Sequence, residues 1–232
     1  MRMNSSNPVF KSARSYAYVS DKPLTYANVA IKTVLLIAVA AISAYLTLTN
    51  LNEISWTWVI GAMIIAFISV IVGTRSVKLA PIFGVIYAAA EGMVLGIVSL
   101  MYALEFEGIV PTAILTTGVV FVVMLLLFAT NIIKVNQKFA SFMVVALISV
   151  IIMSILTFII PSLYNSGFYY LIVIVSAGLS AFFLLLDFQR IKDFVDSGAD
   201  QQVGWILSLG LMVTIVWIYI EMLRLLAITS RR

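Results

Sequence analysis

Cysteine and histidine are absent from the 232 residues, and only 10% of the chain is charged. Without those two side chains there is no disulfide, no thiolate or imidazole metal ligand, no haem held by either, and no Ser/His or Cys/His nucleophile. Proline is scarce too: the five are Pro8, Pro23, Pro81, Pro111 and Pro161, none in the middle of an apolar run. What fills the chain is hydrophobic. The apolar set makes up 63% of the residues and the mean hydropathy is +1.14, against roughly 45–50% apolar and about 25% charged residues in a soluble domain. The runs approach or exceed the ~20 residues that cross a ~30 Å hydrocarbon layer, which predicts a polytopic α-helical membrane protein in contact with lipid. The net charge of +4 is divided among the connections between runs, a pattern of membrane topology rather than of a nucleic-acid surface.

Residues 1–28 form a polar tail with no apolar run of signal-peptide length, expected to stay in the cytoplasm. The remainder, 29–230, reads as a seven-helix transmembrane domain, with spans at 29–49, 56–74, 80–104, 111–133, 139–160, 168–188 and 203–228. Every connection is short, leaving no room for a soluble catalytic domain. Ten of the fourteen basic residues lie in the tail (Arg2, Lys11, Arg14, Lys22) and in the second, fourth and sixth loops (Arg75, Lys78, Lys134, Lys138, Arg190, Lys192). By the positive-inside rule the N-terminus is cytoplasmic and the C-terminus outside, in a cell's inner membrane. The outer loops carry Glu53, Glu105 and Glu107 instead.

Ionisable groups inside spans are costly, at least ~2.5–3.5 kcal/mol at a helix centre, and so carry the functional information. Lys32, Glu91, Asp187, Glu221 and Arg224 are the five. Lys32 lies about one turn inside the first span, where its stem is expected to return the ammonium to the inner headgroups. Glu91 follows Ala80 by 11 residues, about 16 Å along a helix, near the bilayer midplane. Gly92 and Gly96 follow it at the GxxxG spacing that lets another helix backbone approach. The carboxyl either bonds across that close contact or titrates in a hydrated path. Asp187 sits near the cytoplasmic end of the sixth span, with Arg190 three residues on as its simplest partner. Asp193, Asp196 and Asp200 follow in the inner loop, where carboxylates suit a hard cation but the spacing is not that of a calcium-binding loop. Glu221 and Arg224 share a face of the last helix; about 27 Å from Val203, they read as a helix-end ion pair near the outer surface, beside the interfacial aromatics Trp217 and Tyr219. No nucleophile and base pair is present, so an enzyme is not expected, nor is any cofactor.

The residues now singled out resemble the Bax inhibitor-1 (transmembrane Bax inhibitor motif) family, in its bacterial YccA-like and YetJ-like branch, over nearly the whole chain. The resemblance rests on Asn7-Pro8-Val9-Phe10, Lys32-Thr33, Glu91-Gly92 with Gly96, Asp187-Phe188-Gln189-Arg190-Ile191, and Gly210-Leu211-Met212-Val213-Thr214 running on to Trp217-Ile218-Tyr219-Ile220-Glu221-Met222-Leu223-Arg224-Leu225-Leu226. It implies six helices around a central seventh, and a pH-sensitive leak of calcium or another cation. It also implies a latch of two aspartates sharing a proton, one ending the sixth helix and one midway along the seventh. Asp187 matches the first; Thr214 stands where the second would be. Asp with Thr is an ordinary hydrogen bond with one titrating group, so the expected latch is Asp187 with Thr214, and Glu91 is the acidic group of the ion pathway. The resemblance carries an alternative as well, a non-conducting regulator or substrate of a membrane AAA protease, working through the tail.

Overall fold

The residues flanking the apolar runs carry the signals that start and stop helices. The computed structural model describes residues 22–51, 55–163 and 167–230, and within them seven long helices: α1 Tyr26–Thr49, α2 Trp56–Arg75, α3 Ala80–Glu105, α4 Ile109–Ala129, α5 Gln137–Ile159, α6 Gly167–Asp196 and α7 Val203–Ser230. A 3-10 turn, Pro161–Leu163, follows α5, and the described residues contain no strand. Thr25 opens α1 by accepting the Asn28 N–H at 3.1 Å, and Asn136 opens α5 by accepting the Phe139 N–H at 2.9 Å. In both cases a side-chain oxygen satisfies one of the four orphan donors of a first turn. Pro81 and Pro111 lie in the first turns of α3 and α4, where a missing N–H costs nothing.

Two boundaries differ from the sequence reading. Helix α4 stops at Ala129 rather than 133 because Asn131 takes a left-handed φ of 54°, a conformation asparagine tolerates and a helix does not continue through. Helix α6 runs to Asp196 rather than 188. Its last turns, Gln189 to Lys192, are polar but good helix formers, and the chain turns only at Gly198, whose φ is +68°. There the Gly198 and Ala199 N–H groups bond back to the carbonyls of Val195 and Phe194, a glycine-closed helix end. The tail up to residue 21, with Asn7-Pro8-Val9-Phe10, lies outside the described residues, as do Glu53, Arg231 and Arg232.

All seven helices are long and apolar enough to cross a membrane. Large apolar side chains such as Phe158, Leu104 and Trp56 stand exposed along them, which in water would be a liability and in lipid is the solvated state. The chain is a multi-pass membrane protein. Burial is uneven: α6 and α7 have 61% and 56% of their most apolar windows buried, against 17–33% for α1 to α5. Polar groups that must be shielded from lipid therefore have only two helices well suited to carry them.

The chain divides into two compact units, Met1–Val94 with Arg190–Gly210, and Leu95–Gln189 with Leu211–Arg232. In the first, small residues bring helices close. A Cβ on Gly92 would meet the Ala40 carbonyl oxygen and come within 2.8 Å of its Cα, so α3 and α1 touch backbone to backbone. One turn away, the Ser43 hydroxyl donates to the Ala89 carbonyl at 2.6 Å. At the N-terminal end of α1, the Leu24 N–H donates to the Ala199 carbonyl and the Gln201 N–H to the Lys22 carbonyl, tying the segment before α1 to the loop before α7. In the second unit Met143, Val150, Leu179 and Leu186 form a core, with Trp217 stacked edge-on against Phe183 at 5.4 Å.

Candidate functional site

Most hydroxyls in the spans return their hydrogen to their own helix, as Thr33, Thr117 and Thr157 do to the carbonyl four residues back, which satisfies the group without linking anything. The exceptions mark where helices are joined by polar contacts. Thr214 is one. Its Oγ1 donates to Asp187 Oδ2 at 2.5 Å, and both residues are buried, 6% and 8% exposed. Asp187 reaches this position because α6 is apolar all round it: Leu184, Leu185, Leu186 and Phe188 are all buried, so no rotation of the helix would free the carboxyl. Phe188 is held in turn by Phe121 and Phe128 of α4, with ring centroids 5.4 and 5.8 Å away. Asp187 is buried, while Arg190, one turn on, is exposed.

Glu221 is the second carboxyl of this unit, and it does not sit at a helix end. It is 2% exposed, nine residues before α7 stops at Ser230. Counting length from Val203 places it outward, but α7 extends well past it and α6 covers it. Arg224 does pair with it, Nη1 to Oε1 at 3.3 Å. The same oxygen accepts the Ser176 hydroxyl at 2.8 Å and the Trp217 indole N–H at 3.1 Å. Oε2 is buried with no hydrogen-bond partner. Beside it lies a cavity of about 490 Å³ against α5. Trp217 and Tyr219, read from the sequence as interfacial aromatics, both make protein bonds, Tyr219 with Ser99 at 2.7 Å.

Glu91 belongs to the other unit. It is half-buried near the middle of α3, one turn after the buried Tyr87 and directly before the Gly92 contact with α1. Lys32 turns back toward the start of α1, where its ammonium is held by protein groups. Its Nζ donates to Asn28 Oδ1 at 2.6 Å and to the Gln201 carbonyl at 2.5 Å, and lies 5.3 Å from the Trp205 ring centroid. In the last turns of α6 Asp196 pairs with Lys192, and in the loop that follows Asp200 accepts the Gln202 N–H at 2.7 Å. No three acidic side chains among the described residues are grouped as metal ligands.

Sequence reasoning did not find Ser176, Ser99 or the partners of Lys32. A serine in an apolar run has no distinguishing spacing, and only the helix facing it shows whether its hydroxyl bonds inward or to its own backbone.

No curated protein matches the chain significantly. The family profile described as Bax inhibitor 1 like matches residues 7–231, which includes all seven helices and both units. A chain with seven apolar helices, matched over residues 7–231, is a member of the Bax inhibitor 1 like family.

Proposed function

We propose that the protein is a passive, pH-sensitive leak for calcium or a similar cation across the inner membrane, latched by Asp187 and Thr214, with the N-terminus cytoplasmic and the C-terminus outside. The observation that carries this reading is the buried hydrogen bond between α6 and α7, Thr214 Oγ1 to Asp187 Oδ2 at 2.5 Å. The bond joins two helices away from water, and a carboxylate charge there requires water or a counter-charge to enter. Protonation therefore holds the two helices together, and ionisation loosens them. Glu91, near mid-span on α3, supplies a hard oxygen ligand suited to a divalent cation, and a single carboxylate binds weakly enough to let the ion leave. With threonine in place of a second acid, one group titrates at the latch, so the pH response is that of a single proton.

The test is Ca²⁺ influx into proteoliposomes from about pH 6 to 8, the range a perturbed carboxyl reaches, with Asp187→Asn beside the unaltered chain. Flux that rises with pH in the unaltered protein and stays low and flat in Asp187→Asn supports the latch. Folded protein that gives no flux above empty vesicles at any pH refutes the leak, and would turn attention to the N-terminal tail and a membrane AAA protease.

A further inference from the structure

The loop between α6 and α7 is held by the stretch of chain that leads into α1. The Leu24 N–H donates to the Ala199 carbonyl at 2.8 Å and the Gln201 N–H to the Lys22 carbonyl at 3.1 Å, which sets Pro23 opposite Asp200 as an antiparallel pair. The two bonds flank that pair rather than join it, so Pro23 occupies the kind of ladder position where a missing N–H loses nothing. Leu24 is 2% exposed and anchors the stretch. Gln201 is gripped at its other end as well, since its carbonyl accepts from Lys32 Nζ, which also donates to Asn28 Oδ1. The grip is close: a Cβ on Gly204, in the first turn of α7, would meet Asn28 Oδ1 at 2.7 Å and Lys32 Nζ at 3.0 Å. That turn rests directly on the two side chains.

Residues 197–202 are the tip of the hairpin made by α6 and α7, and the tip governs how its arms move. Asp187 lies nine residues before α6 ends at Asp196, and Thr214 eleven residues after α7 begins at Val203. At 1.5 Å per residue the latch is about 14 and 16 Å from the tip along continuous helix. Parting the two side chains asks the tip to splay or to turn, and a tip fastened by two backbone bonds and a lysine resists both.

We propose that residues 22–24 are a strap across the loop between α6 and α7, locked by Lys32, and that the strap must release before the latch of Asp187 and Thr214 opens. What opening does rests on the leak proposed above; the coupling of strap to latch belongs to the chain whether or not an ion passes.

The chain has no cysteine, so an introduced pair of thiols meets no competitor. Opposed residues at such a position have Cα atoms about 4.5 Å apart, within the span of a disulfide. Pro23→Cys with Asp200→Cys is made in the full chain and reconstituted in proteoliposomes. Ca²⁺ influx is measured on one preparation after diamide and again after dithiothreitol, with Asp200→Cys alone carried through both treatments. Loss of maleimide labelling reports that the bond has formed. Flux at the level of empty vesicles in the oxidised pair, restored on reduction and insensitive to both reagents in the single variant, is expected. Equal flux from the oxidised and reduced pair in a chain that leaks would overturn the strap. Thiols that do not join would overturn it too, because Pro23 and Asp200 would then not be held opposite each other. A second measurement needs no conduction: hydrogen exchange of the Leu24 and Gln201 amides in nanodiscs, unaltered chain against Thr214→Val. Coupling predicts exchange about two- to tenfold faster in the variant, the scale of the one neutral hydrogen bond removed from the latch. Unchanged exchange would overturn the coupling even in a chain that leaks. Faster exchange in a chain that gives no flux in any form would uphold the strap and refute the leak alone.

Discussion

Replacing Thr214 with valine isolates the latch more cleanly than any change at Asp187. The two side chains have nearly the same shape and the same branching at Cβ, so packing around the buried α7 position is kept and only the hydroxyl is lost. In the structure that hydroxyl donates to Asp187 Oδ2 at 2.5 Å, with both partners buried. With Asp187 protonated in the latched state, such a hydrogen bond contributes about 0.5–1.5 kcal/mol, and about 1.4 kcal/mol is a factor of ten in an equilibrium. If the bond exists only in the latched state, its loss shifts the balance toward the open state by about two- to tenfold. The assay is Ca²⁺ influx per folded protein in proteoliposomes, beside Thr214→Ser, which restores the donor and is expected to leak at the unaltered rate. Flux from Thr214→Val equal to that of the unaltered protein would show that the bond is equally present in both states, and the latch argument would fall. Thr214→Asp, which places a second carboxyl at the contact, is expected to steepen the pH profile, because two acids that share a proton titrate as a pair. An unchanged profile would count against Asp187 as the sensor.

Gly92→Ala and Gly118→Ala are predicted to have opposite signs. At Gly92 the new methyl meets the Ala40 backbone, which has no side chain to move aside, whereas nothing lies within 4 Å of Gly118. A loss of about 1–3 kcal/mol at the first and a gain of up to about 1 kcal/mol at the second are expected from unfolding in mixed detergent micelles. Ser176→Ala is expected to cost about 1.5–3 kcal/mol in the same assay by removing a donor to a carboxylate. Ser180→Ala, on the same helix but bonded only to the Ala177 carbonyl, is expected to change stability by less than about 0.5 kcal/mol. Lys32→Met removes the bonds to Asn28 and the Gln201 carbonyl, and the amides of Leu24 and Gln201 should then exchange hydrogen about tenfold faster or more. Unchanged exchange would mean that the backbone bonds hold that junction without the lysine.

The seven spans were legible because lipid demands length, and runs of about 20 apolar residues are rare in chains that fold in water. The inward face of each span was harder to see. A helix in a bilayer is apolar on both sides, so the hydrophobic stripe that orients a soluble helix is missing. What replaces it is size. The buried residues of α2 are Val59, Ala62, Ala66, Ser69 and Gly73, and those of α1 include Thr33, Ala40 and Thr47: small or hydroxylated side chains at three- and four-residue steps or their multiples. The Gly92 contact follows this principle, as its GxxxG spacing indicates, whereas α5, α6 and α7 bury large side chains such as Met143, Leu184, Leu209 and Ile218, and size does not orient them.

The polar contacts obey a different logic. Asp187 with Thr214 was expected only through family resemblance, since 27 residues separate them and no local spacing links them. Glu221 was misplaced because distance along a helix measures depth, and depth was taken as nearness to the surface. Its burial comes from the neighbouring α6, whose Ser176 is 45 residues away. A carboxyl three residues from an arginine satisfies the local rule for an ion pair equally well on a surface or in a core. What separates the two settings is the number of further donors that converge on it. Oε1 has Ser176 and Trp217 besides the arginine, and Oε2 has none. That convergence of donors, rather than the charge pair the sequence displays, sets the buried Glu221 apart from a helix-end ion pair.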